Sequence, residues 1–274
     1  MYEDYWKLEQ KPFASRCDAR SYYPTETHQG ALLKLRYAIE NRRGAALLVG
    51  PSGCGKSLLV RLLAEQMSET YRPFVHLVFP QMSAADLLEY LAAELGAAAP
   101  PAATAGSTEG SVRRIQTRLT EIAAQDRHAV LAIDEAHLIE AGRAFEALRL
   151  LLNFEAAAGP PMTLLLVGQS NLVPMLARMP QLEERLAVKC LVRPLSVEET
   201  MSYVQHRLAV AGADRTIFEP EAMEALHQIT HGVPRQINRL CDLALLVGFA
   251  EEHRSIGPAQ IEAVSHDLMA VAAS

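Results

Sequence analysis

The stretch GPSGCGKS, residues 50–57, restricts the fold of this chain more than any other part of its sequence. It follows the apolar run AALLV and precedes the amphipathic run SLLVRLLAEQM, so we expect a strand before it and a helix after it. The stretch matches the full GxxxxGK pattern followed by Ser or Thr, in which glycines let backbone N–H groups face phosphate oxygens at a helix N-terminus. The predicted ATP-binding residues are Gly50, Pro51, Ser52, Gly53, Cys54, Gly55, Lys56, Ser57 and Leu58.

Four side chains, two in this loop and two at the end of a later predicted strand, indicate that the chain hydrolyses ATP as well as binding it. Lys56 is expected to reach the β- and γ-phosphates, and the Ser57 hydroxyl to ligate Mg²⁺. The apolar run AVLAID ends a predicted strand at Asp134, the second expected Mg²⁺ ligand, and the adjacent Glu135 can polarise the attacking water. An acidic strand end is common by itself, but its combination with a phosphate loop favours a catalytic site.

Polar residues at three further places are candidates for contacts with the γ-phosphate. Gln169 or Asn171, after the apolar run TLLLVG, can contact the phosphate or the attacking water, although a turn that caps the next helix explains either residue equally well. Arg185 precedes the last predicted strand and can reach the nucleotide of a neighbouring subunit, with a solvated helix arginine as the alternative. Arg235 follows Pro234 at the start of a predicted helix, where a surface salt bridge is the alternative.

The order of apolar and amphipathic runs predicts an α/β fold. The candidate strands are residues 45–50, 74–79, 129–134, 163–168 and 188–193, with stretches of helical period between them. Continuously apolar strands separated by helices are typical of a parallel sheet with both faces covered, which here predicts a three-layer αβα P-loop NTPase domain. After residue 194 we expect four helices instead, which begin near Ser196, Pro220, Pro234 and Pro258.

Composition and charge disfavour several kinds of partner and cellular location for this protein. The formal net charge is −6 and the basic residues are dispersed, which disfavours duplex DNA as a partner without excluding it. No apolar run approaches the ~18 residues of a membrane span, and the N-terminal MYEDYWKLEQ lacks the apolar centre of a signal peptide. The four cysteines form no CxxC pair, so we expect a cytoplasmic protein without membrane insertion, disulfide framework or zinc site.

Taken together, these motifs resemble the AAA+ ATPases, and among them the general secretion pathway protein A (ExeA-type) family. The N-terminal lead carries the resemblance with YYPTETHQGALLKLRYAIENRRG, and later segments carry it with AIDEAH, LLLVGQSNL, RLAVKCLVRPLSVEET and GVPRQINRLCDLALL. The resemblance covers nearly the whole length. It implies a lead that contributes to the nucleotide pocket (1–43), a P-loop ATPase domain with a five-stranded sheet (44–194) and a small helical lid (195–274).

The resemblance also implies roles and partners. Arg185 becomes the expected arginine finger, Arg235 the second sensor and Gln169 the first sensor, while Tyr23 and His28 are expected near the adenine. An ATP-dependent homo-oligomeric ring, of which a hexamer is one form, and a protein partner in a cell-envelope machine of the secretion or pilus type are implied as well. Members of the family continue into a membrane span and a peptidoglycan-binding domain, whereas this chain stops after the lid; a peripheral position at the inner membrane would therefore need a separate partner.

Other functions stay open at this point. Transposition ATPases of the TniB and MuB type share this architecture and form ATP-dependent filaments or rings on DNA, so an ATP-dependent shift of duplex DNA would favour that class. A nucleotide-gated scaffold with little turnover is disfavoured by the intact Glu135. The sequence DEAH at 134–137 is also a helicase box, but a helicase of that class needs a second RecA-like domain, and only about 80 helical residues follow the strand region.

Overall fold

Five parallel strands form one sheet in the part of the chain that the computed structural model describes, residues 1–14, 22–99, 107–139, 142–156 and 159–272. The strands are β1 (Ala45–Val49), β2 (Phe74–Leu77), β3 (Ala129–Ile133), β4 (Met162–Gly168) and β5 (Leu186–Leu191). Their order across the sheet is β2-β3-β4-β1-β5, and every pairing is parallel. The predicted parallel sheet is therefore confirmed, with all strands ending at one edge.

Helices connect and follow these strands. Before and between them lie α1 (Glu3–Trp6), α2 (Glu26–Glu40), α3 (Lys56–Gln66), α4 (Ala84–Glu94), α5 (Thr108–Ala124), α6 (Arg143–Leu151), α7 (Leu172–Ala177) and α8 (Pro180–Glu183). After β5 come α9 (Val197–Val210), α10 (Pro220–Thr230), α11 (Pro234–Ala250) and α12 (Pro258–Ala272). Short 3₁₀ helices lie at Glu69–Tyr71 and Ala136–Leu138. The four helices predicted after residue 194 are thus confirmed.

Helices cover both faces of the sheet, because successive side chains of a strand point to opposite faces. Strands β1, β3 and β4 are buried at every residue. On one face, Leu47, Leu131 and Leu164 share a core with helices α4 to α8. On the other face, α2 packs against β5, where the Cys190 thiol donates a long hydrogen bond of 3.9 Å to Ala31 O. This is the predicted three-layer arrangement.

The two edge strands differ from the prediction in their bounds. β2 ends at Leu77 rather than at residue 79, because β3, with which it pairs, ends at Ile133. Val78 and Phe79 consequently lie outside the ladder and are exposed. β5 spans 186–191 rather than 188–193, because its single partner β1 pairs with it only from Ala45–Leu186 to Val49–Leu191.

Residues 1–14 pack with the C-terminal helices. Trp6 is fully buried and its Nε1–H donates to Leu245 O at 2.9 Å. The buried Arg207 on α9 donates to Pro12 O at 2.7 Å and to Ala14 O at 3.0 Å. The N-terminal segment is therefore part of the same core as the C-terminal helices.

The chain divides into two compact units. The sheet unit comprises Thr27–Pro51 and Lys56–Val192, and the helical unit comprises Met1–Glu26, Ser52–Gly55 and Arg193–Ser274. This division falls near the predicted boundary at 194, but it splits the predicted lead 1–43 between the units, so the three-part division stays a prediction. Within the described ranges, none of the helices combines the length and apolar character needed to cross a bilayer.

Candidate functional site

The loops after β1, β3 and β4 lie side by side at the carboxyl edge of the sheet, because these strands are parallel neighbours. Gly50 follows β1, Asp134 follows β3 and Gln169 follows β4. The Gly50 N–H donates to Gly168 O at 3.3 Å, which fixes the loop after β1 to the end of β4. Open α/β sheets bind their ligands at this edge, so the predicted site residues of three strands converge where a ligand is expected.

The phosphate loop has a backbone that only glycine accommodates easily. Gly53 and Gly55 have φ of +81° and +86°, in the left-handed region that costs other residues energy. At Gly50 a Cβ atom would lie 2.4 Å from Val192 O, which is closer than two such atoms can approach. A glycine-rich loop of this kind leaves a concave space in which backbone N–H groups can bind an anion.

Lys56 opens helix α3 with a buried ammonium group. The residue is 5% exposed, and its Nζ donates to Gly50 O and Pro51 O, both at 2.9 Å. Burying a cation is costly unless negative charge or hydrogen bonds compensate it. A phosphate group entering the loop would supply that negative charge.

Asp134 is a buried carboxylate with three hydrogen-bond donors around it. The Glu135 N–H donates to its Oδ1 at 2.9 Å, His76 Nε2 lies 3.3 Å from its Oδ2, and the Ser57 hydroxyl also donates to it. Burial alone would raise the pKa of Asp134, but the hydrogen bonds from His76, Ser57 and the Glu135 N–H outweigh burial and lower it. Asp134 is therefore ionised at neutral pH, in contact with the other predicted Mg²⁺ ligand.

These donors fit Mg²⁺ only together with a nucleotide. A hydroxyl and an ionised carboxylate are the hard oxygen donors that Mg²⁺ prefers, and it usually completes its shell with water and substrate phosphates. Across the described ranges, no cluster of three or more His, Cys, Asp or Glu side chains could hold a metal ion by itself. The buried ammonium and this pair of oxygen donors fit a nucleoside triphosphate with Mg²⁺.

Glu135 and His137 form a second cluster beside Asp134. Glu135 has a left-handed backbone (φ 49°, ψ 35°), which is uncommon for a glutamate and is typical of functional turns. Its side chain is 38% exposed, and its Oε2 lies 3.4 Å from His137 Nδ1. The same His137 nitrogen lies 3.4 Å from the backbone N of Gln169, at the end of the neighbouring strand.

His76 and His137 also lie at this site, although no motif in the sequence points to them. His76 pairs in register with Ala132 of β3, two residues before Asp134, so it lies beside the face on which the Asp134 side chain emerges. This proximity depends on the strand order, which no local pattern around His76 indicates. For His137 the sequence holds one signal, which is its position two residues after Glu135.

In the helical unit, the start of α11 contacts the tip of the phosphate loop. The Arg235 N–H donates to Gly53 O at 3.3 Å, and its Nη1 lies 3.5 Å from Ser52 Oγ. A Cβ atom on Gly53 would lie 2.9 Å from Arg235 Cβ and 3.0 Å from Val233 Cγ1. Arg235 thus contacts Ser52 and Gly53, two of the predicted ATP-binding residues.

Arg185 lies at the opposite edge of the sheet. Its carbonyl accepts a hydrogen bond from the N–H of Ala45, the first residue of β1, and its exposed guanidinium donates to Asn153 Oδ1 at 3.0 Å. The five residues of β1 separate this point from the phosphate loop, a distance of about 16 Å along an extended strand. Arg185 is therefore not among the residues that the structure brings together around the loop.

The two residues expected near the adenine lie in different units. Tyr23 packs against Tyr203 and His206 of α9, with ring centroids 6.0 Å and 5.6 Å away. His28 is buried within helix α2. A role of either residue in adenine binding stays a prediction.

Comparisons with known proteins agree with this architecture. A family model described as AAA domain matches residues 39–176. General secretion pathway protein A of Aeromonas hydrophila is 30% identical over 273 residues, which cover 99% of this chain and 49% of that protein. The chain thus spans about half the length of this curated relative.

Solved structures with low sequence identity share the fold. Cdc6p from Pyrobaculum aerophilum has a TM-score of 0.72 at 17% identity, over 93% of this chain and 70% of that one. The ORC2 protein of Aeropyrum pernix, solved as ADPNP–ADP complexes, has a TM-score of 0.69 at 14% identity, over 94% and 71% of the two chains. The AAA domain match spans just over half of this chain and contains the phosphate loop, Asp134 and Gln169. The chain therefore belongs to the AAA domain family, with the P-loop AAA+ fold and with general secretion pathway protein A as a curated relative.

Proposed function

We propose that this chain binds ATP with Mg²⁺, hydrolyses it at contacts between copies of itself, and thereby drives or regulates assembly of a cell-envelope machine of the secretion or pilus type. One observation carries the catalytic part of the proposal. It is the contact of the Ser57 hydroxyl with the buried, ionised Asp134, directly beside Glu135. Such an arrangement supplies metal ligands and a base for the attacking water at one point of the sheet edge.

The loop residues bind and orient the triphosphate. The backbone from Gly50 to Gly55 wraps the β-phosphate, while Lys56 exchanges its contacts with Gly50 O and Pro51 O for phosphate oxygens. Ser57 and Asp134 would hold Mg²⁺, which when bound supplies positive charge that neutralises the β- and γ-phosphate oxygens. The positioned γ-phosphate then faces the turn that carries Glu135.

Glu135 acts as the general base. The oxygen of a water molecule forms a bond to the γ-phosphorus, the bond from that phosphorus to the β,γ-bridging oxygen breaks, and Glu135 accepts the proton of the water. ADP and inorganic phosphate are the products. Gln169 contacts the γ-phosphate or the water from the end of β4, and Arg235 responds to the γ-phosphate from the start of α11.

A neighbouring copy completes this site. Arg185 is too far along β1 from its own phosphate loop to reach it with one side chain, yet it is exposed and available to another molecule. A guanidinium from a second subunit stabilises the charge that develops on the transferred phosphoryl group. The proposal therefore includes an ATP-dependent homo-oligomer, a ring being the simplest closed form.

The cellular role rests on the relative's name. General secretion pathway protein A aligns with 99% of this chain, and its name supports a role in a secretion apparatus. The proposal puts the protein on the cytoplasmic side of the inner membrane, where ATP is available, in contact with the apparatus through a protein partner. Duplex DNA is the less favoured partner because of the acidic balance of the chain.

Two substitutions separate binding from hydrolysis. Glu135→Gln keeps the size of the side chain but removes the base, so we expect ATP affinity near that of the unaltered protein and turnover lowered by roughly 10²–10⁴-fold. Lys56→Ala removes the phosphate-binding cation and should weaken ATP binding itself. Nucleotide affinity is measured by titration calorimetry and turnover by phosphate release.

Glu262→Gln is the matched control, because Glu262 is an exposed residue of α12. It should leave both affinity and turnover unchanged. Equal turnover by the unaltered protein and Glu135→Gln would exclude Glu135 as the base, and absence of ATP binding by the unaltered protein would exclude the function itself.

A further inference from the structure

A cavity of about 390 Å³ lies on the sheet unit beside helices α6 and α8, outside the predicted ATP site. Its floor includes Phe145 and Leu182, which are both fully buried, and Met179, which is half-buried. Concave sites of this size with apolar floors are typical places for a ligand or a partner side chain to bind. The proposed hydrolysis makes no use of this cavity.

The rim of the cavity carries a positive charge. Arg143, Glu146 and Arg149 of α6 all line it. Arg149 donates two hydrogen bonds to Glu146, at 2.8 and 2.5 Å, and the charges of this pair compensate each other. Arg143 is exposed and forms no ion pair with any residue in the described part of the chain. An acidic partner surface is therefore favoured at this rim.

Both helices beside the cavity end at the pair formed by Arg185 and Asn153. The Arg185 N–H donates to Leu182 O at 3.1 Å, so Arg185 lies one turn beyond the cavity floor. Its guanidinium donates to Asn153 Oδ1 at 3.0 Å, and Asn153 comes directly after the last turn of α6. One of the five guanidinium N–H groups makes this bond, and the others remain available to another molecule. A molecule that binds Arg185 therefore also approaches the cavity.

We propose that the cavity receives an apolar side chain from a second copy of the chain, and that this side chain is Leu138. Leu138 is 43% exposed, and its N–H donates to Glu135 O at 2.8 Å, which puts it one turn from the predicted base. The spacing on the two surfaces matches, because the cavity floor is one turn from Arg185. The negative charges of Glu135 and of a bound triphosphate complement the arginine rim.

This inference rests on the proposed hydrolysis at contacts between copies, and it adds an apolar contact next to the shared site. The contact joins two different surfaces of the chain, since Leu138 lies at the carboxyl edge of the sheet and the cavity leads to the amino edge. Head-to-tail contacts of this kind generate rings or open filaments. An apolar side chain seated in a cavity supplies much of the binding energy of such interfaces.

Self-association with the non-hydrolysable analogue ADPNP and Mg²⁺, measured by sedimentation velocity, tests the contact without turnover. Met179→Trp fills the cavity and Leu138→Ser removes the apolar side chain. Arg143→Glu reverses the rim charge and should fold well, because an acidic residue is favourable in the first turn of a helix. We expect each variant to associate roughly ten-fold more weakly or worse. Leu33→Trp, at an exposed leucine of α2 on the other face of the sheet, is the matched control and should associate like the unaltered protein.

Mixtures of variants test which copy supplies which surface. Arg185→Ala keeps the base and Glu135→Gln keeps the arginine, so the two chains together should hydrolyse ATP. At a concentration where pairs predominate, Met179→Trp should abolish this turnover when it is added to the Glu135→Gln chain, and should leave most of it when added to the Arg185→Ala chain. Leu138→Ser should show the opposite dependence. Losses that do not depend on the chain carrying the substitution would overturn the proposal.

The association measurement also distinguishes this proposal from the proposed function. Association of Met179→Trp and Arg143→Glu equal to that of the unaltered protein would overturn the role of the cavity and leave hydrolysis unaffected. Weakened association of both variants, in a protein that hydrolyses no ATP, would support the contact and refute the proposed activity. An unaltered protein that neither associates with ADPNP nor hydrolyses ATP would refute both.

Discussion

At the scale of single residues, the burial of His128 makes the stability of the folded protein depend on pH. It precedes β3, is fully buried, and its Nε2 lies 2.8 Å from Thr163 Oγ1, which itself donates to Arg43 O. Burial, reinforced by the charge of Arg42, lowers the pKa of His128 from 6.5 to about 4. The unfolded chain therefore takes up a proton at this residue before the folded protein does, and stability is lost as the pH falls from 6.5 towards 4.

We expect His128→Gln to remove this part of the acid sensitivity. Gln keeps a donor for Thr163, so the free energy of unfolding above pH 6.5 should change little, while the protein with His128 loses about 3 kcal/mol more than the variant by pH 4. Urea unfolding across this pH range measures the difference. His266→Gln, at an exposed position of α12, is the control. Parallel pH profiles of the unaltered protein and His128→Gln would contradict the account.

The residues of the phosphate loop were predictable because the motif is local. Eight consecutive positions and their flanking runs contain all the information that places Lys56 and Ser57 at a helix start. His76 and His137 were not predictable in the same way, because their contacts depend on which strands are neighbours and on where those strands end. The register of β2 against β3 brings His76 to Asp134, and no spacing in the sequence encodes that register.

At the scale of elements, helix α11 contains a glycine that packing explains. Gly248 faces the buried Trp6, and a Cβ atom there would lie 2.9 Å from Trp6 Cζ2. Gly to Ala in a helix interior usually stabilises by ~0.5–1 kcal/mol. Here the Trp6 ring is fixed by its bond to Leu245 O, so we expect Gly248→Ala instead to destabilise the helical unit by about 1–2 kcal/mol.

Gly30 in α2 is the matched control for this prediction. A Cβ atom there would meet nothing within 4 Å, so Gly30→Ala should stabilise by ~0.5–1 kcal/mol. Circular dichroism in increasing urea follows both variants, and fluorescence of Trp6, the one tryptophan of the sequence, reports the helical unit directly. Stabilisation by Gly248→Ala would mean that Trp6 is not held against this helix.

Element boundaries followed from the sequence where capping residues or prolines mark them. Ser196 and Glu199 form the predicted capping box of α9, and proline opens α10 and α11. The bounds of β2 and β5 were wrong because an edge strand is limited by its single partner. An apolar run such as FVHLVF does not show where the partner strand ends.

At the scale of the whole molecule, the fold places the predicted site residues at two opposite edges of one sheet. The phosphate loop, Asp134 and Gln169 lie at the carboxyl edge, and Arg185 lies at the amino edge, beside the first residue of β1. A single chain therefore cannot bring Arg185 to its own nucleotide without breaking the sheet. If Arg185 contributes to hydrolysis, it does so in another copy of the chain.

Mixing two inactive variants tests whether Arg185 of one copy of the chain acts in the ATP site of another copy. Arg185→Ala keeps an intact loop and base but lacks the arginine, and Glu135→Gln keeps the arginine but lacks the base. Each variant alone should hydrolyse ATP slowly, and the turnover of Arg185→Ala should be lower than that of the unaltered protein by roughly 10³-fold or more. Arg178→Ala, at an exposed arginine after α7, is the control and should keep its activity. Assayed by phosphate release, the mixture should recover turnover far above the sum of the two rates, because the base of one variant meets the arginine of the other. A mixture that equals the sum, with Arg185→Ala alone as active as the unaltered protein, would contradict hydrolysis at contacts between copies.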